Sequence, residues 1–225
     1  MKRTSPKKSL VKREMLESDG VRKAIEAAGE NIKLLSREEL SQSLHRTIEQ
    51  APNKKSIWVF GYGSLIWNPM LNFTKKALVT IHGYHRGFYL WSRINRGNPE
   101  VPGLVLALDR GGSCRGMAYK LPTKTFREEL EILWRREMLG RAYSPRWVNI
   151  QIDGVSHHAL TFVIDRNSEA YTGKLKDKAI IKIIKTAKGH YGSSLDYLHQ
   201  TAESFRENNI TDRKIFKLEA QLKKS

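Results

Sequence analysis

A run of apolar and aromatic residues that ends in two glycines constrains this chain most. Residues 56–70 read SIWVFGYGSLIWNPM. The residues before Gly61 are mostly β-branched or aromatic and suit a pleated, buried surface, which predicts a strand. Gly61 and Gly63 then allow the backbone to turn sharply and to approach a ligand closely. The stretch therefore predicts a buried strand followed by a glycine-hinged loop.

This loop has two interpretations. Its N–H groups from Tyr62 to Leu65 can hold an oxyanion, which favours a binding role. Alternatively, the loop is a tight turn packed over the apolar residues that follow it. Ser64 as a hydrolase nucleophile is a weak option, because no glycine stands two residues after it. The loop also lacks the Gly-Lys-Ser/Thr ending of a Walker phosphate-binding sequence.

A second element, residues 125–138 (TFREELEILWRREM), predicts a helix. Thr125 and Glu128 have the spacing of a capping box at its start. At about 100° per residue, Glu137 falls on the apolar face of this helix, and the other charged residues fall on its flanks or far side. The apolar residues of that face are Phe126, Leu130, Leu133 and Trp134.

The position of Glu137 suggests catalysis. A carboxylate on an apolar face is costly to bury, and desolvation raises its pKa. A carboxylate with a raised pKa can act as a general base, so Glu137 is a candidate catalytic residue. The alternative is a frayed helix end at residues 138–140, with Glu137 reaching solvent or an arginine.

Length and cysteine content bound the class of protein. The chain of 225 residues supports one substantial domain with appendages. Its single cysteine, Cys114, excludes an intrachain disulfide and favours a reducing cytosol. No apolar run has the length of a membrane span, and the charged start does not resemble a secretory signal. We therefore expect a cytoplasmic protein that does not contact membranes.

The charge is strongly basic, with a net charge of +17 and a pI near 10.0. The excess is shared almost evenly among residues 1–55, 56–170 and 171–225. An evenly spread charge suits anionic small molecules better than a dedicated nucleic-acid site. Weak nucleic-acid contact through the basic surface is an expectation, but not the predicted function.

The first 55 residues predict a basic helical extension. Residues 1–13 have the composition of a disordered segment, and a helix is expected from there to residue 29. Ser36 and Glu39 form a second capping box. Leu40, Leu44 and Ile48 recur on one helical face and are expected to pack on the body of the domain.

The rest of the chain predicts an α+β domain with a mostly antiparallel sheet that curls toward a barrel. Arg93 and Arg96 lie in a long polar loop, residues 93–103, and are candidates for binding an anionic group. Helices are expected at residues 174–190, 193–208 and 212–222. Short strands are expected at residues 77–81, 87–91, 103–108, 116–121, 148–152 and 159–164.

Two other kinds of site are disfavoured. The pairs His82 and His85, and His157 and His158, have no Cys or carboxylate cluster with metal-ligand spacing beside them, so no metal site is predicted. Cys114 is expected to be buried in a strand, and no nearby base in the sequence suggests a nucleophile.

The segment WVFGYGSLIWNP resembles the signature of the γ-glutamylcyclotransferases, in particular the ChaC-like group that acts on glutathione. Three further segments resemble that group in order: GMAYKLP at residues 116–122, LWRREMLGRAY at 133–143 and GHYGSSLDYL at 189–198. An Arg-Gly and Pro-Gly loop also matches, at Arg96, Gly97, Pro102 and Gly103. The helical head is similar to an extension of bacterial members. Leu104 departs from the family, which usually has arginine after Pro-Gly.

The resemblance implies a small barrel-like α+β domain at residues 56–225, behind the extension, with no metal and no organic cofactor. It also implies a reaction in which the α-amine of the γ-glutamyl group attacks its own side-chain carbonyl, so that glutathione yields 5-oxoproline and Cys-Gly. Glu137 matches the catalytic glutamate. The residues expected to bind substrate are Phe60, Gly61, Tyr62, Gly63, Ser64, Leu65, Arg96 and Tyr143.

Three other functions remain as alternatives at the level of sequence. One is a cyclotransferase for other γ-glutamyl compounds. Another is a non-catalytic protein that binds an anion on the same fold. The third is a nucleic-acid-associated protein, motivated by the basic head.

Overall fold

A curled five-stranded sheet lies at the centre of the structure, a computed structural model that describes residues 12–27 and 34–223. The strands are β1 (Trp58–Gly61), β2 (Lys75–Ser92), β3 (Gly103–Lys120), β4 (Tyr143–Ile152) and β5 (Val155–Ile164). Their order in the sheet is β2-β3-β1-β5-β4. Neighbours pair antiparallel except that β5 runs parallel to β1, and a further parallel pairing joins Leu108 of β3 to Val163 of β5. The expected α+β fold with a mostly antiparallel, barrel-like sheet is confirmed.

The prediction of four short strands between residues 77 and 121 was wrong. The structure has two long strands, β2 and β3, paired along their whole length as one hairpin. Register shifts between His82 and Tyr84 and between Phe88 and Leu90 absorb the irregular positions. Bulges of this kind let a strand bend without ending. Gly83, Gly111 and Gly112, which have positive φ values, lie at the first of these shifts and do not end the strands.

The strands β4 and β5 form a second hairpin, which confirms the two predicted strands and extends both toward their N-terminal ends. Its turn consists of Asp153 and Gly154, with φ values of 52° and 77°. Two successive positive φ values are typical of the tight turn that matches the twist of a hairpin.

Helices flank the sheet on both sides. The predicted helices around residues 125–138 and in the C-terminal tail are present, but the helix predicted at residues 174–190 spans only Asp177–Thr186, because a small hairpin follows it. That hairpin consists of β6 (Lys188–Gly189) and β7 (Gly192–Ser193). The helices are α1 (Arg13–Glu17), α2 (Gly20–Ala27), α3 (Arg37–Glu49), α4 (Ser64–Trp67), α5 (Phe126–Glu137), α6 (Asp177–Thr186), α7 (Ser194–Glu207) and α8 (Arg213–Lys223).

Only one of the two predicted capping boxes forms. Ser36 and Glu39 cap α3 reciprocally, as predicted. Thr125 makes no side-chain cap, so the predicted box with Glu128 was wrong. The backbone of Thr125 has φ −123° and ψ 16°, unlike the extended conformation that directs an N-cap side chain at the free N–H groups.

The head forms two short helices where one was predicted. The chain turns at Asp19, which has a positive φ of 58°, and this separates α1 from α2. Arg13, predicted to be disordered, begins α1. The rest of that prediction, residues 1–11, lies outside the described residues, as do residues 28–33.

The head packs on the body of the domain. Leu40, Leu44 and Ile48 of α3 are buried in a core that they share with Leu130 and Trp134 of α5, which confirms the prediction for this face. A separate core lies between the sheet and α6, α7 and α8. A third fills the inside of the curled sheet. Within the described residues, no helix combines the length and apolar character needed to cross a bilayer.

A buried ion pair fixes α1 to α5. The carboxylate of Glu129, 2% exposed, accepts hydrogen bonds from Arg13 at 2.6 and 3.0 Å and from Asn72 at 2.8 and 2.9 Å. Burial alone raises the pKa of Glu129, but the hydrogen bonds outweigh it and the pKa lies below its ordinary value. This stabilisation is present at neutral pH and is lost as pH falls and the carboxylate protonates.

Glu129→Gln is expected to lower the free energy of unfolding by about 2–3 kcal/mol, because it removes a charge and turns an amide N–H₂ toward groups that only donate. Urea unfolding at neutral pH measures this. Glu131→Gln, an exposed change on the same helix, is the control and should stay within about 0.5 kcal/mol. Equal effects of the two substitutions would contradict the structural role of the Arg13–Glu129 pair.

Candidate active site

Glu137 is the last residue of α5 and lines a cavity of about 890 Å³. Its side chain is 14% exposed, and burial raises the pKa of its carboxyl despite a neighbouring arginine. The following residues, Met138 and Leu139, are each 5% exposed, so the helix end is not frayed. The site therefore contains a carboxylate that is shielded from water yet open to a ligand.

Arg136 connects this carboxylate to the glycine-hinged loop. Its Nε lies 2.9 Å from Oε1 of Glu137. Its two terminal nitrogens donate to the Ser64 hydroxyl at 2.9 Å and to the Asn68 carbonyl at 2.5 Å. One guanidinium thus holds the end of α5 against the start of α4, and its charge favours the ionised form of Glu137.

Three phenols surround the carboxylate. Tyr62 and Tyr143 share a side-chain hydrogen bond, and both interact electrostatically with Glu137 and Tyr197. Burial raises the pKa of Tyr62 and Tyr143 well above the usual range and that of Tyr197 to about 12. All three remain neutral hydrogen-bond donors at physiological pH, which suits a site where negative charge develops.

Gly63 makes room for one of these phenols. A Cβ at Gly63 would lie 2.9 Å from the Tyr197 hydroxyl, which also accepts the N–H of Leu106 at 3.2 Å. Arg86 of β2 donates to the Tyr62 carbonyl at 3.1 Å and is itself held by Asp212 at 2.6 Å. The loop is therefore fixed from both the sheet and the C-terminal helices.

Arg96 supplies a buried positive charge on the cavity wall. The residue is 5% exposed, and its guanidinium carbon lies 5.7 Å from the ring centres of both Trp67 and Tyr197. One terminal nitrogen reaches Gln200 at 3.5 Å, and the other, Nη1, has no hydrogen-bond partner among the described residues. Burial lowers the pKa of Arg96. A buried cation with a donor that no described residue satisfies is a candidate to bind an anion.

The β6–β7 hairpin holds the loop that carries Arg96. The N–H of His190 donates to the carbonyl of Ile94 at 2.8 Å, and the Ser194 hydroxyl donates to the carbonyl of Arg96 at 3.0 Å. A Cβ on Gly189 would lie 2.5 Å from the Ile94 carbonyl oxygen, so only glycine permits this approach. The segment GHYGSSLDYL thus positions a binding loop nearly a hundred residues earlier.

The structure divides the predicted site residues into two groups. Ser64, Arg96, Glu137 and Tyr143 line the cavity. The five other loop residues take other places. The Phe60 side chain is fully buried in the core of the sheet, and Gly61 pairs with Met117. Tyr62 reaches the site through its hydroxyl, and the Leu65 side chain is buried beside α5. Gly63 lies against Tyr197.

Several residues of the site were not predicted. Arg136, Tyr197 and Tyr191 lie inside the quoted motifs, so the motifs contained the signal although no role was assigned to them. Leu16, Val21 and Ile25 of the head also line the cavity, and no pattern in the sequence indicates this. Leu104, where the family usually has arginine, is fully buried in the core beneath α7.

The other candidate chemistries have no support in the described part of the chain. No group of three or more His, Cys, Asp or Glu side chains there has the arrangement of a metal site. Cys114 is 3% exposed in β3, and burial raises the pKa of its thiol to about 11. A thiol with so high a pKa is a poor nucleophile.

The curled sheet with its helices has the fold of the γ-glutamylcyclotransferases. A solved structure of a γ-glutamylcyclotransferase specific to glutathione from yeast superposes with a TM-score of 0.68, over 76% of this chain and 96% of that one. The two sequences are 23% identical, so this likeness establishes the fold.

Sequence comparisons show to which family within this fold the chain belongs. Residues 57–225 match the family described as ChaC-like protein. A glutathione-specific γ-glutamylcyclotransferase of Escherichia coli K12 is 34% identical over 96% of this chain and 93% of its own length. One of Schizosaccharomyces pombe is 32% identical over 75% of this chain and 93% of its own. The chain belongs to the ChaC-like family.

Arg136→Gln is expected to raise the pKa of Glu137 further, because it removes the cation that favours the carboxylate. Titration of the glutamate side-chain carbons by ¹³C NMR measures this. Arg127→Gln, an exposed change on the same helix, controls for the loss of one charge. A Glu137 pKa that is unchanged or lower in Arg136→Gln would show that the guanidinium does not stabilise the carboxylate.

Proposed function

We propose that this chain is a glutathione-specific γ-glutamylcyclotransferase that converts glutathione to 5-oxoproline and Cys-Gly. One observation carries the proposal: the shielded carboxylate of Glu137 lines a cavity with an arginine and neutral phenols around it. The names of its relatives in the ChaC-like family support the choice of substrate. The cavity volume is in the range usual for small-molecule sites.

The first step requires a base. At neutral pH the α-amine of the γ-glutamyl group is an ammonium, which has no lone pair with which to attack. In our proposal Glu137 accepts one of its protons, and burial suits it to this because its pKa is raised. The freed amine then attacks the γ-carbonyl carbon of the same residue and closes a five-membered ring. Holding amine and carbonyl together supplies much of the rate.

The second step requires an acid. Ring closure puts negative charge on the carbonyl oxygen, which the loop N–H groups and the phenols can stabilise. The bond from the γ-carbon to the cysteine nitrogen then breaks, and Glu137 returns its proton to that nitrogen. The attacking nitrogen begins as an ammonium with three protons and ends as the lactam N–H with one, so Glu137 also takes a second proton from the ring nitrogen and passes it on. Two protons thus move from the attacking nitrogen to the departing nitrogen, which leaves as the ammonium of Cys-Gly. The chemistry consumes no water, which fits a lyase.

Binding is assigned to the residues around the carboxylate. We assign Arg96 to a substrate carboxylate because it is a buried cation with a spare donor. Tyr143 and Tyr62 are assigned to the γ-glutamyl group, since both phenols interact with Glu137. Ser64 contributes from the cavity wall, whereas Phe60, Gly61, Gly63 and Leu65 are assigned to shaping the loop and presenting its backbone groups.

We also propose that residues 56–225 form the catalytic domain and residues 1–55 an extension of it. The family match begins at residue 57, which supports this division. The cytoplasm is the proposed compartment, because glutathione is part of the system that keeps thiols reduced there.

Glu137→Gln is expected to fold normally and to lose turnover by about 10²–10⁴-fold, since the amide can neither accept nor return the proton. Purified protein is incubated with reduced glutathione, without metal or nucleotide, and 5-oxoproline and Cys-Gly are followed by mass spectrometry. In the parent protein, kcat/KM is expected to fall as pH drops through the raised pKa of Glu137, because only the ionised carboxylate accepts a proton.

Glu128→Gln, exposed on the same helix, is the matched control and should retain full activity. Substantial turnover by Glu137→Gln would remove Glu137 from the acid–base role. If the parent protein gives no product from glutathione but does give product from γ-glutamyl amino acids, its substrates are other γ-glutamyl compounds. No product from either kind of substrate would leave a protein that binds an anion without turnover.

A further inference from the structure

A second cavity, of about 320 Å³, lies beside the one that contains Glu137. It is formed by α2, the loop after β2 and the β6–β7 hairpin. Val21, Ile25, Arg93, Ile94 and Tyr191 line both cavities. The two cavities therefore adjoin each other along these five residues.

The second cavity favours an anion. Arg93 and Lys188 line it together with His190, and no acidic residue among those that the structure describes does. Among the side chains that the structure describes, Arg93 has no hydrogen-bond or ion-pair partner, and it is only partly exposed. Besides Glu137, the main cavity has Asp165 and Glu169 on its walls, and neither of these lines the second one. An unpaired arginine in such surroundings is a receptor for a carboxylate.

A buried hydroxyl points to the same ligand. Tyr191 is 3% exposed, and its hydroxyl has no hydrogen-bond partner among the described residues. The backbone N–H of Tyr191 donates to the carbonyl of Asn95 at 3.0 Å, which fixes the residue against the loop of Arg93. Tyr191 lines the second cavity, and buried polar groups in folded proteins nearly always have a partner, so its orphaned hydroxyl suggests a bound ligand atom.

We propose that Arg93 and the hydroxyl of Tyr191 bind the glycine carboxylate of glutathione, with the Cys-Gly portion lying along Val21 and Ile25 of α2. This rests on the proposed cyclotransferase function and names the subsite for its leaving group. Two extended residues span about 7 Å, so the subsite has to adjoin the cavity of Glu137, as the second cavity does. In this proposal the head of the chain contributes to substrate binding, because α2 supplies one wall of the leaving-group subsite.

The test compares glutathione with γ-glutamyl-cysteinyl-glycinamide, which has nearly the same shape but no charge at that end. The parent protein should lose about tenfold or more in kcat/KM with the amide, mostly through KM, since a charge-assisted hydrogen bond is absent. Arg93→Ala should lose about as much with glutathione and show little further loss with the amide. Tyr191→Phe should also reduce the preference for glutathione over the amide, but by less than Arg93→Ala does.

Arg141→Ala is the matched control, because Arg141 lines the main cavity but is paired with Glu39 at 2.5 Å. It should keep the preference of the parent protein for the carboxylate. Arg93→Ala with an undiminished preference would overturn the proposal.

A parent protein that turns over neither compound would instead refute the cyclotransferase function. Calorimetric titration with glutathione then tests the subsite by itself. Weaker binding to Arg93→Ala than to Arg141→Ala supports it, and equal binding overturns it.

Discussion

The fork of hydrogen bonds made by Arg136 is the interaction on which the site depends. It joins the carboxylate of Glu137, at the end of α5, to Ser64 and Asn68 at the two ends of α4. A carboxylate withdrawn from water loses hydration, and the adjacent guanidinium offsets part of that cost. Burial still dominates, since the pKa of Glu137 remains raised. The carboxylate is therefore more basic than that of an ordinary glutamate, which suits it to accept a proton.

Much of the fold follows from local patterns, and the errors have local causes. The strand before Gly61, the helix that ends in Glu137 and the cap at Ser36 depend on residues close together in sequence, and all three are present. The sequence-based prediction divided the long hairpin of β2 and β3 into shorter strands at its glycines. The pairing that keeps the two strands continuous joins two segments, so it cannot be recognised in either segment alone. The missing cap at Thr125 depends on a backbone conformation that tertiary packing sets.

The candidate site could be predicted where the character of one residue differs from that of its neighbours in the sequence. It could not be predicted where it depends on segments that meet only in the folded structure. Glu137, a carboxylate on an apolar helical face, is such a residue, and the sequence alone identifies it as a candidate. The roles of Arg136, Tyr197 and Tyr191 arise only when loops distant in sequence meet. The contribution of α2 to the cavity walls is likewise tertiary, since its residues lie far along the chain from Glu137, Arg93 and Tyr191.

A crystal structure of Glu137→Gln with glutathione would show directly where the reacting groups lie, because the substitution is expected to stop turnover while preserving the shape of the site. With Glu137 as the acid–base residue, we expect the γ-glutamyl amine to lie about 3 Å from the side chain of residue 137. We also expect this amine to face its own γ-carbonyl carbon at about 3–3.5 Å, the separation of groups about to react. A γ-glutamyl group bound outside the cavity, or an amine directed away from residue 137, would contradict the assignment of Glu137 as the acid–base residue.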